Sequence, residues 1–442
     1  MPMDRISGSG AGGHLPVRPL VTLALTALLM AGCVGGSGGG ATKANLDPAA
    51  APAASAEGGS SLIADLQARR SVLPAGSAYA TVADAVLAAD AGAAAAELRI
   101  ARLRSEARAK NWLPNLGPAV TLSALNGLAA GLLLEQALFD HGKRKAERAY
   151  AAADVEVAAV SLSSDINQRV YEGLSHYVTA ERARAQGAVS SRAAERLAGF
   201  ADVMRQRVEG GLSDRSEQQV IAQHLAEMQA TGGADREAEI SAMAELAAMS
   251  AQGLDGLRGI SRLAVVGNQT EPLSVVRARG EGARSIAESK VARSGLMPSL
   301  SASVNAGTGG INPGVNLGGS GLLGIGTREE LAALDATADV VARRTAEATE
   351  TAQRRIVALE RQIALLESQQ AKGAQVLGQT TANLDLFVEQ YKLGRRTLLE
   401  LVGQYDSYAR LERDQVALRY QIALLELEIA RDRGLLVDGV RM

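Results

Sequence analysis

The sequence predicts a mainly α-helical protein with a small transmembrane β part, built from a duplicated unit of one hairpin and a pair of long helices. Three observations lead there. Residues 143–207 run about 65 positions without proline and with three isolated glycines, enough for roughly 100 Å of helix at about 1.5 Å per residue. Two stretches, 116–134 and 299–326, carry no charge, and the second opens with the period-two alternation of a strand. "NWLPNL" (111–116) and "GLMPSL" (295–300) align 184 residues apart, and further pairs follow at nearly that spacing.

Composition narrows the function. A net charge of −2 over 442 residues is not the footprint of a nucleic-acid or acidic-lipid binder. Aromatic residues make up only 3%, and alanine is abundant, which favours long helices packed closely on one another. The single cysteine, Cys33, excludes an intramolecular disulfide and a cysteine-based metal site.

Residues 1–32 read as a targeting segment. Arg5, His14 and Arg18 precede an uncharged run from Pro19 to Gly32, too short to span a membrane as a helix. Ala31 and Gly32 then lead into Cys33. The stretch "LTALLMAGCVGG" resembles the lipobox of bacterial lipoproteins, with Met30 where leucine is usual. That resemblance implies diacylglycerol on the Cys33 thiol and, with Val34 rather than aspartate following, sorting to the outer membrane. The alternative is an ordinary cleaved signal with an incidental cysteine. Residues 33–60 are glycine, alanine, serine and proline for the most part, which bury too little to order themselves, and they read as a flexible tether.

The first repeat spans 61–254 and the second 255–437, with 438–442 as a tail. Each runs in the same order: a helix, an X-Leu-X-Pro-like stretch, an uncharged segment, a glycine, a long helix, a glycine turn and a returning helix. "ALFDHGKRKAE" (137–147) falls on "GLLGIGTREEL" (321–331), and "VEGGLSDRSE" (208–217) on "YKLGRRTLLE" (391–400) once the spacing slips to 183. In "SLSASVNA", Leu300, Ala302, Val304 and Ala306 alternate with Ser299, Ser301, Ser303 and Asn305; Val120 and Leu122 do the same in the first repeat. "TGGINPG" supplies turn chemistry. Two strands of about ten residues fit each stretch, the length that crosses a bilayer when tilted. This predicts hairpins near 116–140 and 299–325, with second strands at 129–139 and 314–324. Along the helices, Leu411, Gln415, Leu418, Ile422, Leu425 and Ile429 repeat at four-three spacing, as do Ile356, Leu359, Ile363 and Leu366. Leu377, Leu384, Phe387 and Tyr391 continue the register, which is that of a coiled coil.

Four strands cannot close a barrel, and open edges are not tolerated in lipid. The chain must pool its hairpins with other copies; three copies give twelve strands above a bundle of very long helices. With its duplication, its "QALFDHG" lead-in to the long helix and its paired tips "VEGGLSDRSE" and "YKLGRRTLLELVGQYDSYARLE", the sequence resembles the TolC-type outer-membrane efflux proteins over residues 80–437.

That resemblance implies a homotrimeric twelve-stranded barrel continued by an α-helical coiled-coil barrel in the periplasm of a Gram-negative bacterium. It implies two functions for the tips. Gly210, Gly211 and Leu212 in one, and Leu393, Gly394 and Arg395 in the other, match turns that dock a periplasmic adaptor protein. Tyr391 and Arg396 match gate residues that bond to a neighbouring hairpin, where the matching positions are Ser216 and Glu217. Glu400 matches the first of two acids that ring the pore; the second position is Gly403. The glycines are also plain helix stops permitting positive φ.

Other chemistries fail. "GSGLLG" (319–324) fits G-x-G-x-x-G but lies beside a hairpin rather than in a βαβ unit. There is no P-loop, nucleophile elbow or zincin motif, and His141, His176 and His224 stand apart. No enzyme activity and no cofactor is implied. The reading is a passive exit duct working with an adaptor and an inner-membrane transporter, in a tripartite pump or a type I secretion system. The alternatives are a lipid-anchored coiled-coil structural protein without a pore, and the adaptor itself, which would not duplicate the whole unit.

Overall fold

The computed structural model describes residues 60–90, 92–123, 127–307, 310–318 and 326–441. Cys33, the targeting segment and the tether up to residue 59 lie outside the described residues, as does the whole of "GSGLLG".

Helices dominate. Three short ones come first: α1 (Ser61–Ala68), α2 (Ala78–Ala88) and α3 (Ala93–Ala109). The hydroxyls of Ser60 and Ser77 start the first two by accepting from the amides of Ile63 and Ala80. Strands β1 (Asn115–Ser123) and β2 (Gly127–Phe139) follow, then α4 (Lys143–Glu209) and α5 (Arg215–Met249). The second half repeats the order with α6 (Leu273–Gly295), β3 (Ser299–Gly307), β4 (Gly310–Gly318), α7 (Thr327–Asp335), α8 (Thr337–Lys392) and α9 (Leu398–Asp432). At 67 residues α4 is about 100 Å long. It starts where sequence reasoning places it: Asp140 accepts from the amides of Gly142 and Arg144, and Gly142 takes φ 83° to turn the chain from strand into helix. Gly173 inside α4 has a packing reason. A Cβ there would stand 2.7 Å from the Val86 side chain, so the glycine lets α2 lie close against the long helix.

The four strands form one antiparallel sheet in the order β1-β2-β3-β4, so β2 and β3 join the two halves and β1 and β4 are its edges. The second hairpin differs from the sequence expectation. β4 (Gly310–Gly318) begins at 310 rather than 314, the expected stretch 319–324 lies outside the described residues, and Pro313 and Gly314 lie within the strand, opposite Val304 and Ser303, instead of in a turn. Gly307 pairs with Gly310, whose φ of 102° suits the hairpin connection. Proline is tolerated because β4 is an edge strand. The two-residue connection makes Gly307 and Gly310 a hydrogen-bonded pair, and alternation across the sheet then fixes every other residue. Pro313 in β4 and Pro118 in β1 both fall where an N–H would point away from the sheet.

The core has two parts. The larger joins α1, α2, α4, α6, α8, α9 and the chain end at Leu435–Val437. Tyr79 and Tyr177 meet edge to face at 6.2 Å within it, and the Tyr177 hydroxyl donates to the carbonyl of Gly259. Ile356, Leu359, Ile363, Ile422 and Ile429 of the coiled-coil register are buried there. The smaller part lies toward the α4–α5 and α8–α9 turns: Leu197, Phe200, Met204 and Ile221 pack with Leu398, Leu401 and Val402, and Leu384, Phe387 and Tyr391 lean on them. Between the two, Asp235 of α5 receives Ser190 Oγ of α4 at 3.0 Å and the guanidinium fork of Arg413 of α9 at 2.5 and 3.3 Å. No helix among the described residues is long and apolar enough to cross a membrane, which says nothing of a β-barrel.

Candidate functional site

The sheet has two unlike faces. Side chains alternate along each strand and the register carries the alternation across. One face presents Leu116, Pro118, Val120, Leu132, Leu134, Leu300, Ala302, Val304, Ala306, Ile311, Pro313, Val315 and Leu317, with Gln136 the one polar side chain among them, donating to the Trp112 carbonyl. Leu116, Val120, Ile311, Val315 and Leu317 are 65–80% exposed. An apolar surface this contiguous on one sheet face marks a contact with lipid or protein. The opposite face carries Asn115, Gly117, Gly131, Leu133, Glu135, Ser299, Ser301, Ser303, Asn305, Asn312, Gly314 and Asn316. Its serines and asparagines bond among themselves and to the strands: Asn316 Nδ2 donates to Ser303 Oγ at 3.0 Å and Ser299 Oγ to the Gly318 carbonyl at 3.0 Å. Where the chain leaves the sheet, Trp112 and Phe139 are exposed, and Phe139 lies 4.5 Å from the His141 ring. The amphipathic indole of Trp112 suits a membrane–water boundary.

Both helix tips close with the same hydrogen-bond pattern. In the first, Gly211 (φ 69°) donates to the Val208 carbonyl and Leu212 to that of Arg207. In the second, Gly394 (φ 68°) donates to Tyr391 and Arg395 to Gln390. These are Schellman turns, which need a residue at positive φ and satisfy the last carbonyls of α4 and α8. Leu212 and Leu393 stand exposed on them.

The gate residues expected from sequence divide between two places. Ser216 and Glu217 lie in the first turn of α5. Tyr391 ends α8, half-buried on the smaller core. Arg396 stays within its own tip: Nε donates to Gln390 Oε1 at 3.0 Å, Nη1 to Glu400 Oε1 at 3.2 Å, and the guanidinium lies 4.8 Å above the Phe387 ring. Among the described residues it has no hydrogen bond to Ser216 or Glu217. Glu400 is the third helical residue of a capping box. Its carboxylate accepts from the Thr397 amide at 3.0 Å, its own amide donates to Thr397 Oγ1 at 3.2 Å, and these bonds with Arg396 hold its carboxyl below the usual range. The "TLLE" of 397–400 is a capping-box signal that sequence reasoning passed over. A Cβ on Gly403 would meet open space.

Sequence reasoning also missed two clusters behind the tips. His224 Nδ1 of α5 lies 3.7 Å from Asp406 Oδ2 of α9, and Arg410 bridges Asp406 to Glu227. The staple of Ser190, Asp235 and Arg413 is the other. His176 pairs with Glu245, so neither of these two histidines stands alone. No group of three metal-ligating side chains occurs among the described residues.

No family model matches the sequence, and no curated protein matches it. Solved structures match the fold. A membrane protein from Pseudomonas aeruginosa superposes with a TM-score of 0.71 at 17% identity, covering 88% of this chain and 96% of that one. The outer membrane protein VceC of Vibrio cholerae gives 0.66 at 17% identity, over 77% and 92%. The CmeC outer membrane channel of Campylobacter jejuni gives 0.64 at 12% identity, over 86% and 87%. The chain has the fold of these membrane proteins over nearly their whole length.

Proposed function

We propose that three copies of this chain form a passive exit duct through the outer membrane of a Gram-negative bacterium. The observation that carries the reading is the sheet, with one apolar face, one uncharged polar face apart from Glu135, and two unpaired edges. In lipid both edges must pair, so β4 of one copy joins β1 of the next. Twelve pooled strands then form a barrel with an apolar outside and a polar lumen. The helices support the same assembly. Leu365, Val376 and Leu386 stand exposed along α8 in the single chain, and neighbouring copies would cover them. A lipid-anchored coiled-coil protein without a pore has no use for such a sheet.

In this reading the tips meet a periplasmic adaptor through the exposed Leu212 and Leu393 beside Gly210, Gly211, Gly394 and Arg395. An inner-membrane transporter supplies the energy, and Cys33 carries the lipid. The closed state is held by Tyr391 and Arg396 reaching Ser216 and Glu217 of a neighbouring hairpin, for which Arg396 leaves Gln390 and Glu400. Protein extracted in detergent should be a trimer by light scattering; a stable folded monomer refutes the pooled barrel. Cys33→Ser should abolish palmitate labelling, and labelling that persists refutes the anchor.

A further inference from the structure

Glu135 is the one ionisable side chain on the four strands. It lies on the face of serine, asparagine and glycine, between Asn115 of β1 and Ser303 of β3, near the end of the sheet that leads into α4. It is exposed, and no cation pairs with it among the described residues. Asp140, five residues on, is different: its carboxylate is committed to the first amides of α4. Glu400, the acid expected to ring the pore, lies at the far tip and accepts from the Thr397 amide of its own capping box. The sheet therefore carries one uncompensated charge, set in a surface with no other.

Resting on the duct reading above, we infer that Glu135 sets the ionic preference of the pore, forming a ring of three carboxylates that favours cationic solutes at the periplasmic end of the barrel. Twelve strands spaced about 4.8 Å and tilted about 40° enclose a backbone radius of roughly 12 Å, so the carboxylates stand about 9 Å from the axis. Three such charges in water, screened over a Debye length of about 10 Å at 0.1 M salt, enrich a monovalent cation on the axis about 2.5-fold and deplete an anion equally. The cation-to-anion permeability ratio is then about sixfold. At 1 M salt the Debye length falls to about 3 Å and the ratio approaches one.

The test is the reversal potential of purified full-length trimers in planar bilayers under a KCl gradient. Wild type should prefer potassium about sixfold near 0.1 M and lose the preference near 1 M. Glu135→Gln should bring the low-salt ratio near one. Ser303→Glu, which adds a second carboxylate beside Glu135 on the same face, should raise it above wild type. Glu135→Gln with Ser303→Glu should restore it, which a merely structural role for Glu135 would not do. A wild-type channel that conducts without preference, or prefers chloride because Lys143 and Lys145 at the start of α4 dominate, overturns the inference and leaves the duct standing. So does a ratio unmoved by Ser303→Glu. Protein that inserts as a trimer and never conducts overturns both.

Discussion

Replacing Arg413 by methionine tests how the two helical hairpins of one chain are fastened. Asp235 has a side chain only 7% exposed, and its oxygens take three bonds, two from the Arg413 fork and one from Ser190. Methionine keeps much of the arginine stem's packing but leaves a buried carboxylate with one hydroxyl donor. Breaking a buried pair on one side costs about 3–5 kcal/mol; the Arg413 side chain is 27% exposed, so solvent recovers part, and about 2 kcal/mol is the expected loss per copy. Removing both partners in Asp235→Leu with Arg413→Met should recover most of it, because no charge is then left unpaired. The assay is thermal unfolding in detergent followed at 222 nm, with a drop of about 2–3 °C for the single variant. If Arg413→Met melts with wild type, or the double variant melts no higher than the single, the fork is not the fastener of α9 to α4 and α5.

Three further expectations follow from the same structure. Gly394→Ala must hold alanine at φ 68° and should cost about 1 kcal/mol, whereas Gly199→Ala, mid-helix with open space for a Cβ, should gain about 0.5–1 kcal/mol; equal shifts in melting temperature refute the positive-φ role of the tip. Burial pushes the Glu426 carboxyl up, partly offset by the Leu263 amide and Arg262, so folding takes up a proton and stability falls as pH rises above the ordinary value near 4.5. Glu426→Gln should remove that decline, and parallel melting profiles for the two proteins between pH 4 and 8 would sink the idea. Tyr391→Phe with Arg396→Ser should raise single-channel conductance several-fold if these residues hold the closed state; wild-type conductance in the double variant returns the tips to plain helix stops.

The long helices were legible because they are local: 67 residues of α4 without proline need no partner to be recognised. β3 was legible for its clean alternation from Ser299 to Ala306. β4 was not, although Ile311, Pro313, Val315 and Leu317 alternate just as regularly. Gly310, Asn312, Gly314 and Asn316 fill its other face, and these are the residues that elsewhere make turns. At the tips the glycines were read directly, while the partners of Arg396 were not. Gln390 and Arg396 are six positions apart and meet only because the chain reverses at Gly394. The Asp235–Arg413 bond, 178 positions apart, leaves no local trace.

Pro118 and Pro313 bear on the time before assembly. If the barrel is pooled from three copies as proposed, a single chain has to wait for two others while carrying an apolar sheet face with two open margins. A full ladder of outward amides on those margins would accept any stray strand and seed aggregates. Each margin instead has one position where no amide hydrogen exists, so a foreign strand finds an interrupted ladder whichever side it approaches. In that proposed assembly the cost is one missing bond on each side of every joint between copies. The benefit falls to the solitary chain, which is kept from joining the wrong partner until the right ones arrive.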